Sequence, residues 1–108
     1  MATLRLDGAL LVDAAAFHAA SQKAFGFPDT YGHSFDAWVD CLSYLRDEEA
    51  MAAFHLGPKE VLTIEITAAD AFKAQAPDLL EEMQFCIAAI NDRYTDYGEL
   101  PALALVLR

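Results

Sequence analysis

The chain has 108 residues, enough for one domain around one core and too few for two ordinary ones, and its 56% hydrophobic content excludes a disordered chain. Its 17 acidic residues against 7 basic ones leave a formal net charge of −10. A field of that sign serves solubility, repels nucleic-acid phosphates and anionic membranes, and draws basic proteins toward it, so neither direct nucleic-acid binding nor membrane binding is expected.

Leu4 and Leu6 alternate with Arg5 and Asp7, which predicts a short opening strand that ends near Gly8. Asp13 then offers a carboxylate as N-cap to an alanine-rich helix running to about Phe25, with Ala16, Phe17, Ala20 and Ala24 on its inner side. Residues 26–34, broken by Pro28 and Gly32, read as an exposed loop, and Ser34 is placed to cap the next helix. That helix is expected to end between Leu45 and Asp47. Residues 47–59 fit either continued helix or an irregular excursion closed by Gly57 and Pro58. The β-branched alternation of residues 61–67 predicts a strand with Leu62, Ile64 and Ile66 on one face. Asp70 is expected to cap a short helix to about Gln75. Pro77 should open a longer one, in which Leu80, Met83, Ile87, Ile90 and Tyr94 repeat at helical spacing. The closing ALALVLR is nearly all apolar and predicts a strand covered on both faces, as inside a parallel sheet. Strand, two helices, strand, two helices, strand gives crossovers long enough to join parallel strands. The expected fold is therefore α/β, a single domain over residues 1–108 with a three-stranded, mainly parallel sheet packed with about four helices.

No charged segment followed by an apolar one opens the chain and no apolar run is long enough to span a bilayer, so a cytoplasmic location is expected. Cys41 and Cys86 fall on predicted helices with neither a CxxC nor a Cys/His metal spacing. Two free thiols are expected in the cytosol, with a bridge between them left open.

Residues 31–42, YGHSFDAWVDCL, are the most informative stretch. Phe35, Trp38, Val39 and Leu42 recur at i, i+3, i+4 and i+7, the spacing of a face that packs on a core, and place Trp38 in that core. Asp36, Asp40, Tyr44 and Asp47 fall on the opposite face, again three or four residues apart. Carboxylates at i and i+4 repel at a cost of roughly 0.2–0.5 kcal/mol, which a basic partner would relieve. Asp36 lies in the first turn, where it complements the helix dipole, whereas Asp40 lies beyond the reach of that effect.

Enzymatic chemistry has little to work with. The chain holds no Gly-rich phosphate loop, no nucleophile elbow and no HExxH, and His18, His33 and His55 are isolated. His18 reads as a core-edge or surface histidine. His33, beside Gly32 in the loop before the acidic helix, is a candidate interface residue. Asp36 and Asp40 from a single helix do not make a metal site, because divalent cations are held by carboxylates that converge from several elements. Glu48, Glu49, Glu60 and Glu65 bear no recognisable spacing to the pair. No catalytic residue, metal or cofactor is expected.

The order of residues in this block resembles the barstar family of small acidic inhibitors of barnase-type ribonucleases, in which a Tyr-Gly loop leads into a helix reading Asn-Leu-Asp-Ala-Leu-Trp-Asp-Cys-Leu. Here Tyr31-Gly32 and His33 precede Ser34-Phe35-Asp36-Ala37-Trp38-Val39-Asp40-Cys41-Leu42, with both aspartates, the intervening alanine and the Cys-Leu pair in register, and Phe27-Pro28-Asp29 matches the family's entry to the loop. The resemblance implies a three-stranded parallel sheet with helices. It also implies that the loop and acidic helix plug a ribonuclease active site, carboxylates standing where RNA phosphates bind. Asp40 would be the central anchor with Asp36 beside it, Tyr31 and Gly32 would shape the loop, and Ser43 matches a hydroxyl-bearing position. The partner-contacting set expected is Asp40, Asp36, Tyr31, Gly32, His33, Ser34, Phe35, Ser43 and Tyr44. Thr30 stands where the family commonly has a second tyrosine, Trp38-Val39 replaces Leu-Trp, and residues 46–60 lengthen the link to the central strand. These departures point to a ribonuclease other than barnase. The family's late acidic contact is left open among Asp92, Asp96 and Glu99.

Three readings of function follow. The first is a non-enzymatic inhibitor or immunity protein binding a basic, extracellular-type ribonuclease one to one. The second is a regulatory module of the same fold that engages another basic protein without blocking catalysis. The third is an enzyme using the aspartates with a divalent metal.

Overall fold

The computed structural model describes residues 2–47, 52–53 and 55–108. Strands β1 (Ala2–Asp7), β2 (Leu62–Thr67) and β3 (Leu103–Leu107) form one sheet in that spatial order, with both neighbouring pairs parallel. The register sets Leu4 beside Ile64 and Ile64 beside Leu105, then Leu6 beside Ile66 and Ile66 beside Leu107, so one face carries continuous aliphatic rows. Side chains alternate across a strand, which puts the intervening line of Arg5, Glu65 and Val106 on the other face. There Glu65 is buried between Arg5 Nε at 3.0 Å and Arg108 Nε at 3.1 Å.

The expected two-helix crossovers are present. Helices α1 (Ala14–Phe25) and α2 (Phe35–Leu42) follow β1, and α3 (Ala69–Gln75) and α4 (Pro77–Asp96) follow β2. Asp13 caps α1 by accepting the Ala16 N–H at 2.8 Å, and Pro77 opens α4 where no intrahelical donor is needed. The α4 stripe of Leu80, Met83, Ile87, Ile90 and Tyr94 is buried to the last member, in a core shared with Phe17, Trp38, Phe72 and the aliphatic face of the sheet. Among the described residues no helix is long and apolar enough to cross a membrane.

Several expectations are corrected. β3 is an edge strand rather than one covered on both faces: Leu103 is buried, but residues 104–107 are only half-buried, because β2 takes the central position. Its apolar run made it look interior. Asp70 does not cap α3. The helix begins two residues earlier than a cap at Asp70 would set it, Ala68 occupies the cap position in the left-handed region at φ 50° with no side-chain bond, and Asp70 lies inside the first turn. A 3-10 turn at Gly8–Leu10, closed by Asp7 Oδ1 accepting from the Ala9 N–H at 3.0 Å, was not anticipated. Gly8 is obligatory there, since a Cβ would stand 2.6 Å from Thr67 O and 2.7 Å from Ala68 O. Of residues 47–59, 48–51 and 54, including Glu48 and Glu49, lie outside the described residues, and the rest of that stretch is irregular.

Candidate functional site

The loop between α1 and α2 is built on the preceding helix. Gly26 ends α1 in the left-handed conformation at φ 70°, and its missing side chain also admits Ala53, whose Cβ would lie 2.7 Å from a Cβ at this position. One turn back, Gln22 brackets the loop: its Nε2 donates to Pro28 O at 3.1 Å and its Oε1 accepts from His33 Nε2 at 2.9 Å. His18 holds the middle, with Nδ1 2.6 Å from the Tyr31 hydroxyl. Both residues of that bond are buried, Tyr31 against Phe27 and His33, and His18 against Phe17 and Phe35. Burial, with the nearby His33 charge adding to it, holds the His18 pKa below its usual 6.5, and burial also raises the Tyr31 phenol, so both sit neutral at neutral pH. Neither bracing residue was identified from sequence, because a histidine and a glutamine on an alanine-rich helix carry no motif.

Tyr31 therefore shapes the loop from inside, while Gly32, His33 and Ser34 form its exposed crest. His33 adopts a left-handed φ of 50°, a conformation held by the Gln22 bond and by ring contacts to Tyr31 and His18. Gly32 is different. A Cβ there would meet nothing closer than the Ala37 Cβ at 3.7 Å, so the fold itself does not demand glycine, and the bare backbone faces outward.

α2 rises from this crest. Ser34 Oγ accepts the Ala37 N–H at 3.2 Å, and the two faces separate as the periodicity required. Trp38 is fully buried among Phe17, Phe25 and Phe35, with its indole N–H donating to Ser21 Oγ at 3.3 Å, so it belongs to the core. Phe35 and Val39 are half-buried at the margin. Asp36, Asp40, Tyr44 and Asp47 are all exposed.

The helix stops earlier than expected, at Leu42 rather than between Leu45 and Asp47. Two interactions divert the chain. Ser43 Oγ donates to Val39 O at 2.6 Å, and the Tyr94 hydroxyl from α4 donates to Leu42 O and accepts the Leu45 N–H, both at 2.9 Å. Tyr44 and Asp47 thus reach the surface on a turn. Arg46 follows, its side chain only 6% exposed, stacked 5.1 Å from the Tyr94 ring and donating to Leu100 O at 2.6 Å and Glu60 O at 3.0 Å. These bonds fasten the end of α2 to the segments that flank the sheet.

A cleft of about 630 Å³ opens where α2 and α4 end, lined by Ser43, Tyr44, Asp47, Arg93, Asp96 and Tyr97 among others. Of the three late acidic candidates, Asp96 and Glu99 line it and Asp92 does not, although it is exposed. Arg93 also went unnoticed in the sequence, where a basic residue in the last turn of a helix reads as a dipole complement. Its Nη1 donates to Ser43 Oγ at 2.9 Å and lies 3.5 Å from Asp40 Oδ1.

Cys41 and Cys86 are free and buried, and burial raises both thiols, Cys41 further through Asp40 and Cys86 through Glu82 and Asp36. They are poor nucleophiles for that reason. Among the described residues no group of three or more His, Cys, Asp or Glu is placed to hold a metal ion. What the surface offers is a set of exposed carboxylates on a helix anchored by a buried tryptophan, beside a bare backbone crest. Such groups accept charge-assisted hydrogen bonds from guanidinium, ammonium or imidazolium donors. A protein-family model described as Barstar (barnase inhibitor) matches residues 1–106. No curated protein matches the chain.

Proposed function

The chain belongs to the barstar family, and from that premise we propose that it inhibits a small basic ribonuclease by seating the crest of residues 32–34 and the acidic face of α2 in the enzyme's active site. A ribonuclease must gather Arg, Lys or His donors to hold the RNA backbone, and a carboxylate accepts the same bonds that a phosphate oxygen does. Asp40 is the central anchor and Asp36 its neighbour. Ser43 and Tyr44 border them, His33, Ser34 and Phe35 complete the rim, and Tyr31 keeps the crest in shape from below.

The observation that carries this reading is the exposure of the Asp36/Asp40 face on a helix whose opposite face is locked into the core. Trp38 and Leu42 are fully buried directly behind it, while both carboxylates remain in solvent. A helix held so firmly presents its charges with little ordering left to do on association, which favours tight binding. Gly32 adds to it, because a glycine that its own fold does not need lets a partner approach the backbone closely. The protein acts without chemistry of its own, as a one-to-one ligand.

Titration into RNA-cleavage assays with a panel of small basic microbial ribonucleases, barnase among them, tests the proposal. Stoichiometric loss of cleavage is expected for at least one enzyme. Tight complex formation that leaves cleavage intact would instead identify a binding module of the same fold.

A further inference from the structure

Arg93 is out of place on a surface built to imitate phosphate. Two arginines line the cleft beside the acidic face among the described residues. Arg46 has a side chain only 6% exposed and is engaged by the carbonyls of Leu100 and Glu60, whereas Arg93 is 51% exposed. Its Nη1 sits 3.5 Å from Asp40 Oδ1 and 2.9 Å from Ser43 Oγ, in contact with two residues assigned to the binding face.

In the free protein this ion pair matters little. Both partners keep more than half of their side-chain surface in water, and exposed pairs of that kind contribute little to stability. Under a docked partner the solvent leaves and the balance changes. A nuclease cation brought to Asp40 then arrives beside a second positive charge, and like charges held together in an interface are strongly penalised unless an opposite charge answers them. Discrimination by such a repulsive element is a common way for one surface to reject close relatives of its target.

We propose that Arg93 is a specificity-determining residue: it admits nucleases that set an acidic side chain beside the cations that take Asp40, and it rejects those whose phosphate-binding cluster is uniformly basic. The inference rests on the inhibitor reading and deepens it. Asp40 supplies strength toward basic active sites in general, and Arg93 selects among them.

The test uses the full chain as wild type, Arg93→Gln, Arg93→Glu and Asp40→Ala, each titrated against the same ribonuclease panel, with urea midpoints to establish that every variant is folded. Arg93→Glu is expected to reorder the panel, changing the ratio of inhibition constants by tenfold or more for at least one pair of enzymes, with Arg93→Gln between it and wild type. Asp40→Ala is expected to weaken inhibition of all of them together. Ratios that change by less than tenfold for every pair under both Arg93 variants would overturn the role of Arg93 while leaving the inhibitor reading intact. No inhibition of any enzyme by any of the four proteins would remove that reading, and this inference with it.

Discussion

His18 shows how much the loop depends on one uncharged side chain. It is 3% exposed, bonded to Tyr31 and enclosed by aromatic rings, and its pKa is lowered mainly by burial. The unfolded chain binds a proton at this position more readily than the folded one does. Its contribution to stability is therefore complete above the unfolded value of 6.5 and is lost as pH falls from there toward the lower folded value. Urea midpoints measured between pH 7.5 and 5.5 should fall on acidification, and His18→Gln should flatten that fall; an equal slope in the variant would place the effect elsewhere. Ala68 offers the opposite kind of test. It is exposed and holds a left-handed φ of 50°, a region that costs a residue with a Cβ about 1–2 kcal/mol. Glycine avoids that strain but loses more chain entropy on folding, so Ala68→Gly should raise stability by about 0.5–1 kcal/mol in denaturant titration. His33 shares the same φ, yet it lies on the crest and is tied to Gln22, so its strain is held by the site itself.

At the scale of elements, the end of α2 is decided by α4. The Tyr94 hydroxyl serves the carbonyl of Leu42 and the amide of Leu45, and Tyr94→Phe would leave two buried backbone groups unpaired. Each such group costs about 1–3 kcal/mol, so the variant should lose at least that much stability by urea unfolding. A loss below about 0.5 kcal/mol would mean that the chain finds other partners at little cost. This same contact explains where sequence reading fell short. The helical spacing of Phe35, Trp38 and Leu42, the cap at Ser34 and the alternation in β2 are local signals, and α2's start, its faces and the β2 strand were legible from them, while the parallel direction of the strands followed from the two-helix crossovers between them. The stop at Leu42 is set by a residue 52 positions away, and the Arg93 contact to Ser43 spans 50. No local pattern announces either. β3 misled for a related reason: its composition records burial against the core, but its place at the sheet edge depends on which strands reach it. Asn91 is a further case, a polar residue in α4 whose side chain accepts from the amides of Ala102 and Leu103 and donates to Leu103 O, fixing where β3 begins.

At the scale of the whole molecule, a net charge of −10 makes encounter with a basic enzyme a long-range event. Screening shortens from about 30 Å at 0.01 M salt to about 8 Å at 0.15 M, so the association rate with an inhibited ribonuclease should fall over that range while dissociation changes far less. Stopped-flow mixing at the two salt concentrations measures this; a rate indifferent to salt would assign the acidic surface to solubility alone. Tightness, by contrast, should come from the anchor. The most direct measurement is the affinity of Asp40→Ala for a ribonuclease that the wild type inhibits, with both rate constants determined. Truncating one side of a desolvated charge pair costs roughly 2–5 kcal/mol, mostly in the off-rate, and barnase with barstar is itself the reference case for couplings of this size, so the figure is theirs. An affinity weakened by about 30-fold or more, with faster dissociation, is the expected result; a loss below about tenfold would contradict the placing of Asp40 at the centre of the contact.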